Sequence, residues 1–216
     1  MSRLHAKTYD SISHDYTTPE DFVDIHLQFL DRESYDIDAA CLYPNIPAEI
    51  HFLPYVQPWS MSLFGDLLDG LKQEWYKLGK CVFLNPPYGN LLIKFVKKAF
   101  EEAQKGCDVW LLLPTRFVQY YFDYIYKVAG FVYFMPEKRF EFLINGHNKG
   151  KAPMPLCLVY LGKNADYYTE KWVKEDPYKN TQYEGALMRV LKIDAPQKQG
   201  VKQKSLFDNN ELVGCR

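Results

Sequence analysis

The chain has 216 residues, which favours one domain and allows a substantial buried core. Apolar residues make up 47%, aromatic residues 16% and charged residues 25%, a composition that excludes a disordered chain. A net charge of −1 argues against a protein that coats nucleic acid non-specifically, while leaving room for a local basic face. The five cysteines are an odd set with no C-x-x-C, and four lie in or beside apolar runs. Reduced, buried thiols in a cytosolic protein are the expectation. No N-terminal signal pattern and no apolar run of about eighteen residues is present, so secretion and membrane spanning are not expected. The five histidines show no metal-ligand spacing, and His51 and His147 read as surface or loop residues. No metal is expected.

Residues 1–15 are polar and mixed, a segment laid over the domain or frayed. Thr18-Pro19, followed by Glu20 and the apolar-periodic Phe22-Val23, Leu27 and Phe29-Leu30, predicts a helix with Thr18 at the N-cap. Tyr35-Asp36-Ile37-Asp38-Ala39-Ala40 alternates like a strand that ends in a carboxylate and two small residues. Such an end lets a ligand approach the backbone, though an Asp there also suits a plain turn. Four prolines break residues 42–79 into short pieces, with one strand over Glu49–Tyr55. Glu49, Asp66 and Asp69 are the acidic candidates here. Trp59, Phe64 and Trp75 read as core.

Cys81-Val82-Phe83-Leu84 then runs into Asn85-Pro86-Pro87-Tyr88, and Gly89-Asn90 leads to a helical segment through Ala103, with Gly106 at its end. This is a strand, a stiff turn and a helix, with a polar corner where open α/β sheets bind ligands. The prolines fix φ and donate nothing, so their carbonyls are offered to a ligand. The Asn85 side-chain oxygen and the Pro86 carbonyl are two acceptors for the two hydrogens of a planar –NH2 group, and Tyr88 suits stacking on its ring. A turn in which Asn-Pro initiates and Tyr packs would carry the same letters.

Val109–Leu113 is a continuous apolar strand, Phe117–Val128 an aromatic-rich helix, and Phe131–Met135 a further strand. Strands and helices alternate, with crossovers long enough for parallel pairing. Arg139-Phe140 precedes a basic loop carrying Lys149 and Lys151, and Pro155–Leu161 reads as the final strand. Beyond residue 163 hydrophobicity drops. The domain expectation is 1–163 for the main unit, 164–195 for an extension packed on or beside it, and 196–216 for a disordered tail.

The stretch Phe83–Asn90 resembles motif IV of the amino-methyltransferases that use S-adenosylmethionine. From about Tyr16 to Lys163 the chain is similar to phage-type DNA N6-adenine methyltransferases. The resemblance includes Thr18-Pro19, Tyr35–Ala40, Asp69-Gly70-Leu71 with Trp75, Leu113-Pro114, Arg139-Phe140 and Pro153-Met154-Pro155. The tetrapeptide alone is shared with enzymes acting on RNA or on protein glutamine. The order of the other pieces points to DNA adenine. The glycine-rich turn of generic methyltransferases is missing after Asp38.

The resemblance implies an α/β fold of the Rossmann-like class I type, mostly parallel with an antiparallel C-terminal hairpin. It implies S-adenosylmethionine as cofactor, DNA as partner, and the cytoplasm of a bacterial host as location. It places Asn85, Pro86, Pro87 and Tyr88 in catalysis, and Thr18, Pro19, Asp38, Ala39, Ala40 and Asp69 at the cofactor. Phe140 would lie on the target base opposite Tyr88, with Arg139, Lys149 and Lys151 toward DNA. The alternatives are an RNA adenine or a protein glutamine as acceptor, or a silent nucleic-acid-binding module. In the tail, Gln203-Lys204-Ser205-Leu206-Phe207 is similar to the short peptides by which bacterial proteins bind the sliding clamp. Gln203, Leu206 and Phe207 would be its anchors.

Overall fold

The computed structural model describes residues 16–41, 44–53, 69–135, 141–144, 148–152 and 154–189. Its centre is a seven-stranded sheet. Strands β2 (Tyr35–Asp38), β3 (Ala48–His51), β4 (Cys81–Leu84) and β5 (Asp108–Pro114) are mutually parallel, in the order β3-β2-β4-β5. Beyond β5 lie β9 (Leu156–Leu161), β6 (Phe131–Met135) and β10 (Ala186–Arg189), each antiparallel to its neighbour. The architecture is α/β with a mostly parallel core, as a Rossmann-like methyltransferase sheet requires. A second sheet joins β1 (Tyr16–Thr17) to the hairpin β7 (Glu141–Ile144) and β8 (Asn148–Lys151).

Every residue of β4 and β9 is buried, because both faces of the sheet are covered. In β5, Val109, Leu111 and Leu113 point to one face and Trp110 and Leu112 to the other. Helix α3 (Leu92–Gln104) covers the first face with Leu92, Phe95, Val96 and Ala99. Helices α1 (Glu20–Phe29) and α5 (Ala165–Lys174) contribute to the second, where Phe22, Leu27, Phe29 and Trp172 join Trp110, Tyr133 and Tyr178. Trp172 meets Phe29 edge-on with ring centroids 4.9 Å apart, so residues after 163 pack into the main core. The short α2 (Trp75–Leu78) precedes β4, and its amide at Tyr76 donates to the buried Glu102 carboxylate of α3 at 2.9 Å.

Several sequence expectations need correction. The helix over Phe117–Val128 is instead one α-turn, α4 (Gln119–Tyr121), that widens into a π-turn over Phe122–Tyr126. Phe117 is exposed and Val118 is extended, while the Tyr121 and Tyr126 hydroxyls donate back to the Pro114 and Arg116 carbonyls. β5 and β6 are not neighbours, since β9 inserts between them with antiparallel pairing to both. Nor is β9 the last strand, for β10 follows on the far edge. The strand expected over Glu49–Tyr55 covers Ala48–His51. Gly106, at φ +108°, does end α3, where the left-handed conformation favours glycine.

Candidate active site

β2 lies between β3 and β4, so the chain leaves it toward one side and returns on the other. At such a reversal the loops diverge and leave a crevice beyond the carboxyl ends of the strands. Asp38 ends β2 and Leu84 ends β4, with the Ala39 amide donating to the Phe83 carbonyl at 3.0 Å. Asn85 therefore emerges beside Asp38 and Ala39 at this mouth.

Pro86 is buried, whereas Asn85, Pro87 and Tyr88 are half-buried. The Asn85 amide is oriented from outside its own loop, by Nδ2 donating to the Thr18 hydroxyl at 3.1 Å. That bond commits the nitrogen to Thr18 and leaves the oxygen as the acceptor of the site. The Tyr88 hydroxyl reaches the same oxygen at 3.3 Å, a long contact that a better donor can displace. Thr18 is itself buried, and its carbonyl accepts from Asn45 Nδ2 at 2.8 Å. Pro19, not Thr18, occupies the N-cap of α1, because the Thr18 side chain is turned to Asn85.

On the other side of Asp38, the chain makes a parallel bridge between Leu53 and Asp69. The Asp69 carboxylate accepts from the Leu71 amide at 3.0 Å, closing a turn. Gly70 then lies so near the Ala39 carbonyl that an added Cβ would stand 2.2 Å from its oxygen. This backbone contact joins the Asp69-Gly70-Leu71 turn to the end of β2. Trp75 pins the turn further, its indole N–H donating to the Gly70 carbonyl at 2.8 Å.

Asp38 is almost fully buried, and burial pushes its pKa up to about 6 despite favourable contacts from His51, the Cys41 thiol and the Ala40 amide. Ala39 is buried and Ala40 half-buried beside it. Cys41, Cys81, Cys107 and Cys157 are free, buried thiols whose pKa values burial raises.

Tyr88 meets the buried Phe142 of β7 edge-on, centroids 6.2 Å apart and planes at 68°. Arg139 and Phe140 lie outside the described residues, as do Gln203, Leu206 and Phe207 and the side chain of Lys149. Lys151 is exposed at the end of β8. Phe142 and Asn45 had no distinguishing signal in the sequence. Phe142 reads as one more apolar letter, and the Asn45 contact spans 27 residues.

No helix among the described residues is long and apolar enough to cross a membrane. No curated protein and no solved structure matches the chain. A family model does, and it covers the turn at Gly70, the Asn85–Tyr88 corner, α3 and β5. Residues 64–155 match the DNA N-6-adenine-methyltransferase (Dam) family, so the family that the motifs resemble is also the one this segment fits.

Proposed function

We propose that this protein transfers a methyl group from S-adenosylmethionine to the exocyclic N6 of adenine in DNA, with the base turned out of the duplex. The observation that carries the reading is the Asn85 amide, aligned by Thr18 at the mouth of the crevice between β2 and β4. The family match of residues 64–155 supports DNA adenine as the acceptor.

The residues around the crevice suit the cofactor. Burial makes the Asp38 carboxylate costly to ionise, a cost that a cation beside it would offset, and the cofactor's methionine end carries an ammonium. The tight Ala39–Gly70 contact holds Asp38 and Asp69 on either side of one backbone junction. Thr18 and Pro19 border the same mouth, with Ala39 and Ala40 as its small lining. When bound, S-adenosylmethionine supplies an electrophilic methyl whose C–S bond breaks as the N6–C bond forms.

The chain's own work is to prepare the nitrogen. In adenine the N6 lone pair is spread into the ring. Asn85 Oδ1 and the Pro86 carbonyl draw the two amine hydrogens out of the ring plane, which localises the pair. As N6 becomes cationic both hydrogen bonds become charge-assisted, so they strengthen on the way to the transition state. The surplus proton then leaves N6 for water. Extruding a base costs roughly a few kcal/mol, and stacking on Tyr88 offsets part of it at about 1–3 kcal/mol per base. Phe140 is proposed as a second stacking ring. Arg139, Lys149 and Lys151 would meet phosphates, which position the duplex without reading it.

Labelled methyl transfer to DNA, RNA and protein, assayed separately, tests the substrate. Label recovered as N6-methyladenine from DNA alone is expected. Label in RNA adenine or protein glutamine would redirect the reading, and no cofactor binding in a titration would favour a silent module. Asn85→Ala should cut turnover about 10- to 150-fold, the worth of one charge-assisted hydrogen bond, with cofactor affinity unchanged. Parental turnover in that variant would remove Asn85 from catalysis.

A further inference from the structure

We propose that Asp38, Cys41 and His51 form a binding site for one divalent transition-metal ion of the zinc class. No spacing in the sequence announces it, because the fold assembles it across two strands. Asp38 and His51 are register partners in the parallel pair β2–β3, which sets their side chains on the same face of the sheet. The chain then turns back. The Phe52 amide donates to the Asp38 carbonyl at 2.9 Å, and the Cys41 amide to the Phe52 carbonyl at 2.7 Å, bringing the thiol beside the carboxylate. One potential ligand atom from each residue lies within 4.8 Å of the other two. A tetrahedral zinc ion holds such atoms about 3.3–3.8 Å apart, so side-chain rotation of about an ångström completes the site.

Three further features fit an ion. His51 Nε2 lies 3.1 Å from the Ile46 carbonyl, and in the tautomer that donates there the Nδ1 keeps its lone pair. Metal-bound histidines anchor their second nitrogen in this way. The donor set is one sulfur, one imidazole nitrogen and one carboxylate oxygen, which suits zinc over magnesium or calcium. The charges also balance. On binding, Cys41 releases its thiol proton to water and a sulfur–metal bond forms. The ion's 2+ then meets one thiolate, one carboxylate and a neutral imidazole, for a net charge of zero. His51 is half-buried, which leaves the ion a side open to solvent and a fourth position. The second Asp38 oxygen remains available to the crevice.

The test needs neither cofactor nor DNA, so it fails or succeeds independently of the methylation reading. Full-length protein is stripped with a chelator and titrated with Co(II). One equivalent should produce a thiolate-to-cobalt charge-transfer band in the near ultraviolet and the intense visible bands of a tetrahedral site, both lost on adding Zn(II). Cys41→Ser should abolish the charge-transfer band, and Cys215→Ser should keep it. His51→Ala should weaken Co(II) binding about tenfold or more. It alters a half-buried side chain and serves as the decisive variant if Cys41→Ser does not fold. No charge-transfer band at one equivalent, or unchanged Co(II) affinity in His51→Ala, would overturn the site.

Discussion

At the scale of single residues, the Asn85–Thr18 hydrogen bond separates two roles for Thr18. Were Thr18 a cofactor ligand, its loss would raise the cofactor KM. As the anchor of the Asn85 amide it should act on turnover instead. Thr18→Val, close to isosteric, should lower kcat about fivefold to tenfold with cofactor KM unchanged, and Thr18→Ser should restore it. Steady-state kinetics with each substrate varied in turn checks this. Asp38 makes a statement about pH. Its carboxyl titrates at about 6 in the folded protein against an ordinary 3.8, so the native state binds the extra proton between those values. The stability linked to that proton is present below about pH 4 and lost as pH rises through about 6, by up to roughly 3 kcal/mol. Asp38→Asn removes the effect. In urea unfolding of ligand-free protein, the stability of the variant relative to the parent should therefore climb across that window. A difference that stays flat would mean Asp38 is not held against its charge. His26 works in the opposite sense, since burial lowers its pKa to about 3 and stability falls as acid protonates it. Comparison with the Asn variant, rather than the parent's pH profile alone, keeps the two apart.

At the scale of elements, the crevice depends on two junctions remote from it in sequence. Glu102 is fully buried, yet it accepts from Lys98 at 2.9 Å, Lys105 at 3.0 Å and the first-turn amide of α2 at Tyr76. It therefore ties α3 to the helix that leads into β4. Glu102→Ala strands a largely buried lysine and an uncapped helix end, and should cost about 3 kcal/mol in chemical denaturation. The Gly70 junction is tighter. A Cβ there would collide with backbone that cannot move aside, so Gly70→Ala should lower the melting temperature and weaken cofactor binding together. Calorimetric melting and a cofactor titration on one preparation would show whether the two losses coincide. The two junctions differ in how far the letters announce them. Glu102 reads as one more charge on a solvated helix face, while Gly70 stands in the Asp69-Gly70-Leu71 piece of the resemblance with its contact to Ala39 hidden. By contrast β2, β4, β5, β6 and the α3 stripe were legible, because period and burial agree in each. Where they disagree, as at Phe117–Val128, aromatic content suggested a longer helix than the tyrosine hydroxyls permit.

At the scale of the whole molecule, the corner Asn85–Tyr88 could be singled out without coordinates because its residues are adjacent in the sequence. Its contacts could not: the resemblance names Thr18 and Asp38, but they converge with Asn45, His51 and Phe142 only through pairing across the two sheets. Strand order was hidden for the same reason. The placement of β9 between β5 and β6 also bears on how the protein is made. During synthesis β5 and β6 leave the ribosome well before Leu156–Leu161, and among the described residues no earlier strand pairs between them. The nascent chain must hold two greasy, unpaired strand edges apart until the last buried strand arrives, an interval in which chaperone capture competes with premature closure.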